Sequence, residues 1–227
     1  MPARSLVYVT QVAPYLDGPA GVHGVLDQSA TALAELAEGR GLGFERVKDV
    51  RNLDPSVLED ARVLALFTIG ETPWSESQRT AILEGVRAGR TSVLALHSAT
   101  DSCHGWDEYG LLVGARFDGH PWTQSFRVEV VDPSHPAVAH LGSAVDWHDE
   151  VYTFRDLRPD ARVLLRARAD DLDRDVEPVS GEYPLAWCFE EGGGRVFSSA
   201  LGHFPRAWET PAYLRYLDGG LAWVLEN

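Results

Sequence analysis

Apolar and polar positions along the first half of this chain switch between two periods. Short apolar runs of strand length occur at Ser5–Thr10, Phe44–Val47, Arg62–Thr68 and Val93–Leu96. Within the third, Val63-Leu64-Ala65-Leu66-Phe67 is unbroken, the pattern of a strand covered on both faces. Between the runs, apolar residues recur every three or four positions, the helical period. Asp27–Glu38 predicts a helix stopped by Gly39 or Gly41. Ser75-Glu76-Ser77-Gln78 reads as a capping box, with a serine oxygen for a backbone N–H and a glutamine that reaches back. Ala81, Ile82, Leu83 and Val86 carry that helix on to Gly89. Strands alternating with helices predict a parallel sheet with helices on both faces.

The second half is richer in strands. Phe126–Val131, Trp147–Phe154, Arg162–Arg168, Leu185–Glu190 and Arg195–Ser199 are candidates, and Asp132-Pro133-Ser134-His135-Pro136 ends the first of them as a turn. Glu190-Glu191-Gly192-Gly193-Gly194 reads as a hairpin connection. A closing helix spans Pro211–Leu225, with proline at an early helical position. Asp170–Glu182 is acidic and aperiodic, an exposed loop. No repeat or linker divides the chain, so residues 1–227 read as one α/β domain with a mainly parallel central sheet and extra strands in the C-terminal half.

Charge narrows the partners. With 20 basic and 34 acidic residues the formal charge is −14. That field repels phosphate backbones and anionic lipid, which argues against nucleic-acid and membrane partners and for a neutral substrate or a bound cation. No run approaches the roughly 20 apolar residues of a membrane span. The first residues show no secretory apolar core and cleavage site, so a cytoplasmic protein is expected. A homo-oligomer is compatible with the sequence. Two cysteines make no disulfide framework. Cys188 lies in an apolar run and reads as core. Cys103 neighbours His104, but adjacency in sequence does not make a catalytic dyad.

Four residues stand out as candidate chemistry. His97 follows the apolar run Val93–Leu96 and opens the turn His97-Ser98-Ala99-Thr100-Asp101. In open α/β sheets ligands bind outside the carboxyl ends of the strands, so His97 is placed for a general base or a metal ligand. The structural reading is an imidazole that holds the turn by hydrogen bonds. His203 repeats the arrangement after Val196–Ala200. His120, in Asp118-Gly119-His120-Pro121-Trp122, sits in a segment that reads as a stiff loop. Its alternative is a turn histidine capped by neighbours. Glu150 shares a strand face with His148 and Tyr152, while Asp149 points the other way. A carboxylate there could orient an imidazole and stabilise its cation; the alternative is a solvated edge strand.

Ser98, Asp101 and Tyr152 are secondary substrate contacts in this reading. His97, His120, Glu150 and His203 would make a His/carboxylate set compatible with a divalent metal such as zinc, though no metal motif links their spacings. His135 and His140 read as surface residues and His104 as a pocket-rim candidate. Trp74, Trp106, Trp122 and Trp208 fall in loops or at helix starts, and Trp122 is the candidate platform for a sugar ring. The alternative is that these rings pack loops onto the sheet. Trp187 and Trp223 read as core. There is no glycine-rich phosphate loop and no Gly-x-Ser-x-Gly elbow.

Leu96-His97-Ser98-Ala99-Thr100-Asp101, Trp106-Asp107-Glu108-Tyr109, Phe117-Asp118-Gly119-His120-Pro121-Trp122, Asp132-Pro133-Ser134-His135-Pro136, Asp149-Glu150-Val151-Tyr152, Pro184-Leu185-Ala186-Trp187 and Ala200-Leu201-Gly202-His203 occur in that order. Together they closely resemble the ThuA-like trehalose-utilisation family. The resemblance runs from about Val93 onward and only in outline before it. It implies a flavodoxin-like three-layer sandwich similar to the class I glutamine amidotransferases, and a link to trehalose and related disaccharides. The amidotransferase elbow carries a cysteine nucleophile. Here His97 or Ser98 holds that place, so amidotransferase chemistry is not implied. A family histidine after the first strand would correspond to His23.

These readings predict an enzyme acting on a neutral disaccharide or keto-sugar. His97 and His203 would exchange protons, Glu150 would set their charge, and His120 and Trp122 would position the ring. Hydrolysis, isomerisation and elimination all fit. The alternatives are a non-catalytic carbohydrate-binding or regulatory module and a metal-dependent hydrolase.

Overall fold

The computed structural model describes residues 5–16, 24–176 and 181–226. His23 lies outside them, as does part of the Asp170–Glu182 segment. Nine strands form one sheet: β1 (Ser5–Val9), β2 (Gly43–Val47), β3 (Ala61–Leu66), β4 (Ser92–Leu96), β5 (Arg116–Val130), β6 (Ala144–Arg155), β7 (Arg162–Arg168), β8 (Glu182–Glu191) and β9 (Gly194–Ser199). The helices are α1 (Leu26–Gly39), α2 (Pro55–Asp60), α3 (Glu76–Arg87), α4 (Asp107–Val113) and α5 (Pro211–Leu225).

Strand order is β2-β1-β3-β4-β9-β8-β7-β5-β6. The first five pair in parallel. With β9 as the fifth strand, this is the flavodoxin order. The last four continue the sheet by antiparallel pairing. The sheet is therefore mixed, which corrects the expectation of a mainly parallel one. The cause is the absence of crossover helices. A parallel neighbour is usually reached through an α-helix. Among the described residues no α-helix lies between β5 and β9, and β5–β6, β7–β8 and β8–β9 pair as antiparallel neighbours.

The alternation of side chains along β1, β3 and β4 builds two cores. Leu6, Tyr8, Val63, Ala65, Leu94 and Leu96 join Leu33 of α1 and Leu217 of α5 on one face. Val7, Val9, Leu64, Leu66, Val93 and Ala95 join Leu58 of α2, Ile82 of α3 and Leu112 of α4 on the other. The near-continuous apolar runs reflect this double coverage. The Ser75 capping box forms as the sequence predicts, with Gln78 N to Ser75 Oγ at 3.3 Å and Ser75 N to Gln78 Oε1 at 2.9 Å. Helices α2 and α4 go beyond the sequence reading, being too short for a helical period to stand out. No described helix is long and apolar enough to cross a membrane.

Asp118–Trp122 is not a loop. It belongs to β5, which bonds to β6 through two register irregularities between Phe117 and Trp122. The pairing with β7 covers only Val128 to Val130, so this part of β5 is an edge. An edge strand tolerates a proline such as Pro121, because no ladder donor is required there.

Candidate functional site

β4 and β9 lie side by side and end at the same rim. Directly after β4, His97 adopts φ +47°, in the left-handed region. A non-glycine residue enters that region only at a cost that the surrounding structure must repay. His97, not Ser98, thus occupies the bend of the elbow. Its ring is fully buried, and its Nδ1–H donates to the Ala200 carbonyl at 2.8 Å, just beyond β9. A carbonyl only accepts, so this bond fixes the tautomer and leaves Nε2 as an acceptor.

Three groups converge on that nitrogen. The Tyr152 hydroxyl donates to it at 3.0 Å, and His203 Nδ1 lies at 3.1 Å. Glu150 Oε2 is 3.6 Å from His97 Nε2 and 3.2 Å from His203 Nδ1. With acceptors on both sides, His203 Nδ1 carries the shared proton. His120 Nδ1 stands 3.6 Å from the other Glu150 oxygen, on the solvent side, with its side chain 48% exposed.

The electrostatics divide the two strand-end histidines. Burial drives His97 down to about 4, despite its backbone hydrogen bond and the Glu150 charge. Burial also opposes charge on His203, but the hydrogen bond to Glu150 and the charges of Glu150 and Asp149 outweigh it and raise its pKa. Burial pushes Glu150 upward; the His203 hydrogen bond and the nearby imidazoles overcome that and hold it below the usual carboxylate range. The site thus favours a neutral His97 beside a His203–Glu150 pair whose partners stabilise each other's charged forms. Burial, together with the carboxylates of Glu150, Asp149 and Asp101, holds Tyr152 protonated.

Asp149 reinforces this arrangement from the opposite strand face. Its fully buried carboxylate accepts the backbone N–H of Gly202 at 2.8 Å, of His203 at 3.1 Å and of Glu150 at 3.0 Å, and the Trp147 indole N–H at 3.1 Å. One side chain therefore fixes the main chain of two cluster members. Period-two alternation alone sets Asp149 apart from Glu150; the loop after β9 wraps round to meet it.

Of the predicted residues, His97, His203, Glu150, His120 and Tyr152 come together. Asp101 ends the 3-10 turn that begins at His97 and pairs with His104 at 2.9 Å; burial raises its pKa. Ser98 is fully enclosed and its hydroxyl meets no hydrogen-bond partner among the described residues, so it does not face a solvent-borne ligand. Trp122 is only 2% exposed, donates to the Asp173 carbonyl at 2.8 Å and packs edge-on against Tyr183. It is a packing residue rather than an open platform. Trp74, Trp106 and Trp208 are buried likewise. The partly exposed rings beside the cluster are Phe117, 5.8 Å from His120, and Phe204, 4.7 Å from His203. Sequence reasoning misses both, since nothing local distinguishes them from core phenylalanines.

Two further expectations change, and one holds. His135 is buried, between Phe197 and Trp223, rather than on the surface. His140 is partly covered and donates to the Ala212 carbonyl at 2.9 Å. Cys103 is buried, and burial pushes its thiol up to about 11, which leaves no thiolate at neutral pH.

Two open grooves adjoin the cluster. One of 530 Å³ is lined by Asp118, His120, Thr153 and Tyr183, among others. Another of 530 Å³ is lined by Ser125, His148, Phe204 and Arg206, among others.

Flavodoxin strand order in the parallel half, a strained elbow and an imidazole–carboxylate centre at the strand ends define a flavodoxin-like α/β protein whose strand-end elbow carries histidine. The chain belongs to the ThuA family, described as trehalose utilisation, whose model matches residues 16–224. Among solved structures it resembles a ThuA-like protein from Bacteroides uniformis, with TM-score 0.78 and 20% identity over 99% of this chain and 93% of that one. A ThuA-like protein from Parabacteroides merdae gives TM-score 0.77 and 19% identity over 100% and 91%. A GMP synthase-type protein from Thermoplasma acidophilum shares the fold at TM-score 0.53 and 11% identity over 98% and 97%. Comparison with curated proteins finds no match.

Proposed function

We propose that this protein is an enzyme of sugar metabolism that acts on a neutral disaccharide or keto-sugar derivative at the His97–Glu150–His203 cluster. The observation that carries the reading is convergence. Three groups distant in sequence place their polar atoms within 3.6 Å of one another at the carboxyl ends of β4 and β9. Perturbed titrating groups at a strand rim mark reactive sites. Family membership supports sugar as the substrate class.

The chemistry is proton transfer. The Glu150–His203 pair holds a proton that can be given to a sugar oxygen, and neutral His97 can accept one. Such a donor and acceptor serve both cleavage of a glycosidic bond and proton abstraction beside a ketone. His120 stands at the open side, where it can orient a hydroxyl, and Phe117 and Phe204 offer apolar ring faces. A strained histidine among coupled titrating groups favours catalysis over a purely binding module.

A ligand that binds only the native state raises the melting temperature. The reading expects trehalose or one of its oxidised keto forms to stabilise the protein, and His120→Ala to weaken that effect. A complete panel of disaccharides and keto-disaccharides without effect would contradict it.

A further inference from the structure

We propose that His97 Nε2, His203 Nδ1 and Glu150 Oε2 form one face of a coordination site for a divalent transition metal of the zinc class. The inference rests on the reading of this cluster as the reactive centre.

The first support is the size of the triangle. Its edges are 3.1, 3.6 and 3.2 Å. An ion held tetrahedrally at 2.0–2.1 Å from nitrogen and oxygen requires ligand-to-ligand distances of about 3.3–3.4 Å. The three donor atoms therefore stand at coordination spacing with little movement required. Among the described residues, this is the group of three whose ligand atoms fit round one ion. The fourth residue of the set read from sequence, His120, lies beside the other Glu150 oxygen and leaves the face open.

The second support is the outer layer of bonds. Metal-ligating histidines usually donate their other ring N–H to a carbonyl or carboxylate, which fixes tautomer and orientation. His97 does this to the Ala200 carbonyl. Asp149 holds the main chain of both other ligands. The left-handed backbone at His97 places its Nε2 within 3.1 Å of His203 Nδ1 and 3.6 Å of Glu150 Oε2.

The donor set selects the ion. Two imidazoles and one carboxylate suit zinc, iron(II), nickel or copper, whereas magnesium and calcium call for oxygen ligands. Binding is a simple exchange: the ion takes the place of the His203 Nδ1 proton, which leaves to solvent, and both imidazoles bind through nitrogen lone pairs. The open side, toward His120 and the Tyr152 hydroxyl, then admits one oxygen of water or of a sugar carbonyl.

The test is titration of the full chain, stripped with chelator, with Zn²⁺ by calorimetry and with Co²⁺ by visible absorption. One ion per chain is expected, with Co²⁺ bands of four- or five-coordination, and Glu150→Gln or His203→Asn should weaken binding at least ~10-fold. His104→Ala should bind as wild type. A variant-free check uses ring ¹⁵N resonances of the wild-type protein: Zn²⁺ should shift His97 Nε2 and His203 Nδ1 and spare His104 and His140. No stoichiometric ion, or an ion that leaves those two resonances unmoved, overturns the inference. Thermal stabilisation by trehalose or its keto forms, measured in stripped and loaded protein, separates the two proposals. Sugar binding without ion binding removes the metal and leaves the sugar reading; ion binding without any sugar effect does the reverse.

Discussion

The Asp149 carboxylate accepts the backbone N–H of His203 at 3.1 Å, although 53 positions separate Gly202, which it also binds, from Asp149. The side chain that pins the histidine's main chain is thus the sequence neighbour of Glu150, the one that meets its ring. Removing Asp149 orphans several buried donors at once. Asp149→Ala is expected to cost about 3 kcal/mol, since bonds to charged groups contribute about 1.5–3 kcal/mol each and are not additive. Urea unfolding checks this. A loss below about 1 kcal/mol would show that the loop holds itself in place.

Gly202 makes the same loop sensitive to a single methyl group. Its φ is +118°, and a Cβ there would collide with the Tyr213 hydroxyl, which donates to the Leu201 carbonyl at 2.9 Å. Gly202→Ala should destabilise by about 2–4 kcal/mol through strain and overpacking. It should also displace His203, so ligand-induced stabilisation should fall with it. Melting curves with and without sugar read both effects.

His135 predicts an acid-side weakness away from the site. It is buried against Phe197 and Trp223, and burial, with the Arg162 charge, lowers its pKa from 6.5 to about 4; Asp132 and Glu226 act the other way, and Arg195 adds to the lowering. The folded state binds fewer protons than the unfolded chain between those values. Its stabilising contribution is therefore present above pH 6.5 and lost as pH falls toward 4. The slope approaches about 1.4 kcal/mol per pH unit for one proton. His135→Gln should flatten the stability profile in that window, as measured by denaturant midpoints from pH 4 to 7. An unchanged slope would assign the loss to other groups.

Trp122 is expected to behave as a core residue. Trp122→Ala should cost about 3–5 kcal/mol. Trp122→Phe, which keeps most of the ring but orphans the Asp173 carbonyl, should cost about 1–2 kcal/mol. Denaturant titration separates these from the near-zero stability change expected of an exposed sugar platform.

The parallel half of the sheet is legible in the sequence because double coverage writes itself as unbroken apolar runs, and strand ends there coincide with His97 and His203. The Asp118–Trp122 segment misleads because glycine and proline ordinarily mark loops, whereas an edge strand with irregular register accommodates both. The tryptophans mislead for a related reason: position in a connecting segment does not fix exposure when that segment is itself packed down. Glu150 is legible through its period-two partners. Asp149 is not, because its importance depends on a loop from β9 whose path no local pattern encodes.

The most direct test of the central claim is turnover of a disaccharide and keto-disaccharide panel, followed by proton NMR, by wild-type protein and by His97→Asn, Glu150→Gln and His203→Asn variants of verified fold. The account predicts that wild type converts at least one of these sugars, and that each variant loses at least ~100-fold in rate, as removal of an acid–base group entails. Variants that convert the same sugar as fast as wild type would contradict it.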